Sequence, residues 1–191
     1  MITLASSSPR RRHLLDMLGI AHEVIPADVD ERPRAGEEPE AMAVRLASEK
    51  ARSVWERYPA RPVLAADTVV VIDGEILGKP RDAADARRML ATLSGRDHLV
   101  MTAVALAEPA GEILQQCDVT RVWFRSLTPE VIEAYVATGE PLDKAGSYGV
   151  QGMGALLVER VEGDFFGVMG LPLRLVADLL AAAGVPYRFT R

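Results

Sequence analysis

Val63-Leu64-Ala65-Ala66-Asp67-Thr68-Val69-Val70-Val71-Ile72-Asp73-Gly74 contains the most strongly β-branched run of the chain. Residues 63–72 read as a strand, and Asp73-Gly74 as a hairpin turn. Gly78-Lys79-Pro80 interrupts the return strand. On the N-terminal side, residues 2–5 read as a short buried strand. Pro9 opens a helix to about residue 18, where Gly19 stops it. A strand near residues 23–26, an acidic loop over 27–36 and a long helix over 39–58 follow. On the C-terminal side the spacing predicts a helix over 82–93, then two long strands over 98–107 and 113–125. A helix capped by Thr128 ends at Gly139. Residues 141–154 form a glycine-rich loop, and residues 155–160 and 165–168 read as a hairpin around Glu162-Gly163. The last helix covers 173–183. Strands and helices mix without strict alternation, which predicts an α/β protein with a mixed sheet. Neither a G-x-x-x-x-G-K-[ST] loop nor a strand-linked G-x-G-x-x-G is present, so two common nucleotide-binding designs are excluded.

The 191 residues suffice for one sizeable core or two lobes sharing one. Hydrophobic residues at 49% and charged residues at 26% fit a soluble globular protein. The net charge of -5 argues against a general nucleic-acid coat. A single cysteine, Cys117, permits no disulfide within the chain and suits a reducing compartment. No secretory pattern and no apolar run of membrane-spanning length is present. Of 22 basic residues, three are lysines: Lys50, Lys79 and Lys144. So strong a preference for arginine points to lysine being kept where a compact ammonium is needed.

Four constellations carry chemistry. Ser6-Ser7-Ser8-Pro9-Arg10-Arg11-Arg12 leads from a strand into a helix. Three arginines crowd a helix N-terminus, where acidic side chains belong, and a bound polyanion reverses that conflict. The other reading is an ordinary cap with solvated arginines. Lys50 shares the i, i+3, i+4, i+7 face of Ala43, Leu46, Ala47 and Val54. It either reaches an anion or snorkels to solvent. Asp67 lies inside a strand, where Asp is disfavoured. A carboxylate held there suits a general base or a divalent-ion ligand; the alternative is a strand-end Asp bonding a turn. Pairing across Asp73-Gly74 predicts Lys79 opposite Asp67 to within one residue. The loop from Asp143 to Gly154 combines glycines, which permit close backbone approach to a ligand, with Gln151, whose amide can read the edge of a base. A flexible connector is its other reading. The three histidines fit neither a zinc site nor a catalytic triad.

Taken together, these segments resemble the Maf family. The resemblance is carried by Leu4-Ala5-Ser6-Ser7-Ser8-Pro9-Arg10-Arg11, Glu49-Lys50-Ala51, Ala66-Asp67-Thr68-Val69-Val70 and Gly78-Lys79-Pro80. It continues through Leu93-Ser94-Gly95, Asp143-Lys144-Ala145-Gly146, Tyr148-Gly149-Val150-Gln151-Gly152 and Met169-Gly170-Leu171-Pro172. It spans nearly the whole chain in order, so residues 1–191 are expected to be one domain.

The resemblance implies an α/β fold similar to the inosine triphosphatases: an elongated mixed β-sheet flanked by helices, with two lobes around a deep cleft. It implies a cytoplasmic pyrophosphatase that cuts dTTP and UTP to monophosphate and pyrophosphate with a divalent cation, Mg²⁺ or Mn²⁺. The proton acceptor maps onto Asp67. Arg10, Thr68 and Gln151 map onto the positions that set substrate choice. Ser8, Arg11, Lys50 and Lys79 match phosphate-binding positions, and Glu31 joins Asp67 as a metal ligand. The near alternative is a 7-methyl-GTP pyrophosphatase, disfavoured by Arg10, Thr68 and Gln151. The distant one is a non-catalytic nucleotide-binding regulator of cell division. The expected partner is a nucleoside triphosphate, with a homodimer as a compatible assembly and with neither nucleic acid nor membrane.

Overall fold

The computed structural model describes residues 1–189. In chain order the elements are β1 (Ile2–Leu4), α1 (Pro9–Met17), β2 (His22–Val24), α2 (Pro39–Trp55), β3 (Val63–Ile72), β4 (Glu75–Leu77), α3 (Ala83–Leu93), β5 (Asp97–Ala107), β6 (Ile113–Phe124), α4 (Pro129–Ala137), β7 (Val158–Glu162), α5 (Phe165–Met169) and α6 (Leu173–Ala182). Three 3-10 turns, Glu140–Asp143, Ala145–Ser147 and Met153–Leu157, occupy the glycine-rich region.

The sheet order is β2-β1-β3-β5-β6-β7, with β4 paired to β3. β1 runs parallel to β2 and to β3, with Thr3 opposite Glu23 and Leu4 opposite Leu64. Parallel neighbours need long connections, and α1 and α2 lie on these. The pairs β3–β4 and β6–β7 are antiparallel. The sheet is therefore mixed and flanked by helices, as the element pattern predicts.

The described chain divides into two compact units, with boundaries inside β3, β5 and β6. The first holds residues 1–67, 102–118 and the C-terminal segment from Gly170. Its buried positions include Leu4, Leu14, Leu46, Val54, Leu64 and Leu171. In α2, Met42, Ala43, Leu46, Ala47, Lys50, Ala51 and Val54 are buried at helical spacing. The second unit holds residues 68–101 and 119–169. Its core gathers Val70, Leu77, Leu90, Val100, Val122 and Phe124. Asp82 starts α3 by accepting the Asp85 N–H, and Thr128 starts α4 by accepting that of Val131.

One local expectation is corrected. Residues 155–168 do not form a hairpin. β7 pairs instead with β6, Val122 facing Val161 and Trp123 facing Arg160. The segment after it turns into α5 because Asp164 is fixed by the Thr120 hydroxyl, 2.7 Å from its N–H, and accepts the Gly167 N–H at 3.0 Å. A strand pairing with β6 satisfies β7's ladder without a return strand. Across Asp73-Gly74 the register agrees with the expected one to within a residue, but the pairing is shorter. The ladder runs Ile72↔Glu75, Val71↔Ile76 and Val70↔Leu77, and β4 ends there. Continued in that register, Lys79 falls opposite Thr68 and Pro80 opposite Asp67. Pro80 has no N–H to extend the pairing, so Lys79 sits in the connection to α3.

Candidate active site

Asp67 is the last residue of β3 that belongs to the first unit, and it is 7% exposed. Neighbouring Ala65 and Ala66 are fully buried. An isolated carboxylate in such surroundings is costly, and Lys50 supplies the compensating charge. The buried face of α2 directs Lys50 inward, where its Nζ donates to Asp67 Oδ1 at 2.6 Å. The same Nζ lies 2.6 Å from Glu31 Oε1. One ammonium thus joins two carboxylates from separate parts of the chain. Lys50 is thus a cation bonded to Asp67, the reading of its apolar-face position in which it reaches an anion.

Glu31 is carried by the loop between β2 and α2. That loop is tied down by Arg45, which grips Glu37 with two parallel bonds, Nε to Oε1 at 2.5 Å and Nη2 to Oε2 at 2.7 Å. Arg45 also donates to the Arg32 carbonyl and to Glu49. The Arg45 guanidinium holds the Glu37 carboxyl down at about 2. Neither residue's role is visible in the sequence, because a pairing eight positions apart across a loop and a helix follows no helical or strand period.

At the start of α1, Ser6, Ser8, Arg10 and Arg11 behave differently from one another. Ser8 is the N-cap residue, yet its hydroxyl makes no cap bond, and no acidic residue stands in the first turn. Ser6 is buried; its Oγ accepts the Ser8 N–H and an Arg11 Nη1–H, each at 3.2 Å. Arg11 Nε donates to the Gly170 carbonyl at 2.7 Å. Its guanidinium is pulled below the ordinary arginine value mainly by burial; Asp67 opposes this, Arg10 adds to it and Glu31 opposes it. Arg11 is therefore a positioned cation within the electrostatic reach of both carboxylates. Arg10 is half-buried, whereas Arg12 is exposed and pairs loosely with Asp16 at 3.7 Å. The three consecutive arginines are not equivalent, a distinction set by the helix and invisible in their run. The first unit thus brings Arg11, Lys50, Glu31 and Asp67 together at the start of α1.

In the second unit, Thr68 is half-buried in β3, while Lys79 and Gln151 are exposed. Gln151 stands in a loop whose glycines make close approaches. Gly152 has φ +86, and a Cβ there would meet Glu140 Oε2 at 2.8 Å. A Cβ at Gly154 would lie 2.4 Å from the Gly149 carbonyl oxygen and 2.5 Å from the Tyr135 hydroxyl. What these two glycines admit is the protein's own Glu140 and Tyr135. Lys144 donates to Asp143 and to the Glu140 carbonyl within the same unit. Among the described residues, no group of three or more His, Cys, Asp or Glu side chains is arranged to hold a metal ion. No helix of the described residues is long and apolar enough to cross a membrane.

The family model described as Maf-like protein matches residues 1–183. The chain is 52% identical over 188 residues to a dTTP/UTP pyrophosphatase of Chromobacterium violaceum, covering 96% of this chain and 94% of that protein. It is 53% identical over 185 residues to a dTTP/UTP pyrophosphatase of Moorella thermoacetica, covering 96% and 95%. Among solved structures it is similar to a HAM1 protein from Coxiella burnetii, with 20% identity, 64% of this chain and 72% of that chain covered, and a TM-score of 0.48. The extent of the family match and of these identities shows that the chain belongs to the Maf family.

Proposed function

We propose that this member of the Maf family hydrolyses dTTP and UTP to the monophosphate and pyrophosphate, in the cytoplasm, with Asp67 as the base that activates water. The observation that carries the reading is the grouping of Asp67 with Lys50, Glu31 and Arg11 beside the α1 N-terminus. Relatives at about half identity that bear the name dTTP/UTP pyrophosphatase support the substrate class. The whole chain is read as one functional domain, which the match over residues 1–183 supports.

In this reading Ser8, Arg10 and Arg11 receive phosphate oxygens at the N-terminus of α1. Lys50 and Lys79 offset charge that builds on the leaving pyrophosphate. Lys50 must release Asp67 as substrate arrives, because the Oδ1 that accepts from the ammonium at 2.6 Å is then occupied and not open to a water. The triphosphate offers that ammonium a competing set of anionic oxygens. Asp67 then takes the proton of a water aligned with the α-phosphorus, opposite the departing pyrophosphate. Arg10, Thr68 and Gln151 set the choice of base.

A divalent cation fits the residues present. Asp67 and Glu31 already converge on one small cation, the Lys50 ammonium, and are hard oxygen donors. Mg²⁺ and Mn²⁺ are commonly held by one or two carboxylates, with water and substrate phosphates filling the other positions. Asp67 and Glu31 would hold such an ion, whose chemistry is to neutralise charge on the triphosphate.

The test is pyrophosphate release from dTTP, UTP, CTP and 7-methyl-GTP with Mg²⁺ or Mn²⁺. dTTP and UTP are expected to be cut fastest. Release confined to 7-methyl-GTP, or none from any of the four, overturns the proposal. Asp67→Asn is expected to lower turnover by at least ~10²-fold while nucleotide binding persists. Near-normal turnover in that variant removes Asp67 as the base.

A further inference from the structure

The geometry points to Glu140 and Tyr135 as a clamp that positions Gln151, and thereby as residues on which base selectivity depends. This deepens the proposed function, since it rests on Gln151 contacting the base. The loop around Gln151 is gripped on both sides of that residue. The Glu140 carboxylate accepts the N–H groups of Met153 and Gly154, each at 3.0 Å. It also accepts the Tyr135 hydroxyl at 2.9 Å. The Tyr135 oxygen in turn accepts the Gly149 N–H at 3.3 Å. Amides at 149, 153 and 154 are thus anchored to two side chains outside the loop, while Gln151 between them is exposed.

The surroundings suit this job. Tyr135 is buried in α4, and Glu140 follows it across the helix end in the 3-10 turn Glu140–Asp143. Partial burial raises the Glu140 carboxyl, but bonds from Gly154, Met153 and Tyr135, with the nearby Lys144 charge, hold it below its ordinary value on balance. Glu140 therefore stays anionic at neutral pH, and bonds to an anionic acceptor are the stronger kind. Gly152 and Gly154 lack side chains where a Cβ would strike the clamp. An exposed side chain recognises a base only if its backbone is held; a misplacement of about 1 Å removes much of its effect.

The experiment compares wild type, Glu140→Gln, Tyr135→Phe and Gln151→Ala, with Glu140→Gln and Gln151→Ala also combined. The readout is kcat and KM for dTTP and dCTP. Glu140→Gln replaces one carboxylate oxygen by an amide donor, which then faces one of the two backbone N–H groups in place of an acceptor. It is expected to reduce the dTTP/dCTP ratio of kcat/KM by about 10-fold, chiefly through KM, while kcat on dTTP falls by less than about 3-fold. Tyr135→Phe is expected to shift the ratio in the same direction by about 3-fold, and it carries the test if Glu140→Gln does not fold. In the Gln151→Ala background the Glu140 substitution should move the ratio by less than about 2-fold, because the group it positions is gone.

A folded clamp variant with wild-type ratio and KM overturns the inference. So does an equal loss of ratio with and without Gln151. If Gln151→Ala keeps the wild-type ratio, the base-contact role of Gln151 fails and the clamp's role in selectivity fails with it. A wild-type chain that releases no pyrophosphate from any pyrimidine triphosphate sinks the proposed function itself, a result distinct from an active enzyme whose selectivity ignores the clamp.

Discussion

Lys50 Nζ lies 2.6 Å from Asp67 Oδ1, in a pair where both residues are less than a tenth exposed. Each group is tolerable in the interior because of the other. Lys50→Met leaves the Asp67 charge without its buried partner, a change that costs roughly 3–5 kcal/mol in comparable pairs. Combining Lys50→Met with Asp67→Asn removes both charges and is expected to cost less than Lys50→Met alone. Urea denaturation of the wild type, both single variants and the double variant measures this. Additive losses would mean that the two groups contribute independently.

Arg45 anchors the loop that carries Glu31 through its two hydrogen bonds to Glu37. Arg45→Gln is expected to increase amide exchange and protease cutting across residues 27–37 while α2 remains folded. Activity should fall through KM, since Glu31 would no longer be held toward Lys50. Unchanged exchange in that segment would show that the loop is secured by other contacts.

His98 makes the second unit acid-sensitive. It is buried between Phe124 and Tyr148, bonded to the Tyr148 hydroxyl at 2.7 Å, and its Nδ1 has no partner. Burial lowers its pKa to about 4, with Asp97 opposing. The unfolded chain takes up this proton near the ordinary value of 6.5. The contribution of His98 is therefore intact above about pH 6.5 and is lost as pH falls toward 4, by up to ~3 kcal/mol. His98→Phe should flatten this part of the stability curve. The check is denaturant midpoints between pH 7 and 4 for both proteins.

Gly154→Ala drives a Cβ to 2.4 Å from the Gly149 carbonyl oxygen, a backbone atom that cannot swing aside. A loss of about 1–3 kcal/mol is expected. Gly78→Ala is the control: a Cβ there meets nothing within 4 Å, and its stability should change by less than about 1 kcal/mol. Thermal melting of both variants separates a loop packed against Glu140 and Tyr135 from one with room to spare.

Much of this molecule is local in origin and is legible in the sequence. The β-branched run at 63–72 forms β3 within the predicted bounds, and Pro9, Pro39 and Asp82 begin their helices because they satisfy or relieve the first-turn amides. The odd placement of Lys50 on an apolar face and of Asp67 within a strand could be seen as costly, since both signals depend on short-range periodicity. Which cation compensates Asp67 could not, because Lys50 and Asp67 meet through the packing of α2 on the sheet. The same limit explains the failed hairpin at 155–168. Turn chemistry near Gly163 is compatible with either a returning strand or a helix, and the edge of β6 decides between them. Likewise a glycine-rich stretch shows that something approaches the backbone, not what. Only the folded arrangement identifies Glu140 and Tyr135, because contacts between a helix end and a loop follow from three-dimensional closure instead of spacing along the chain.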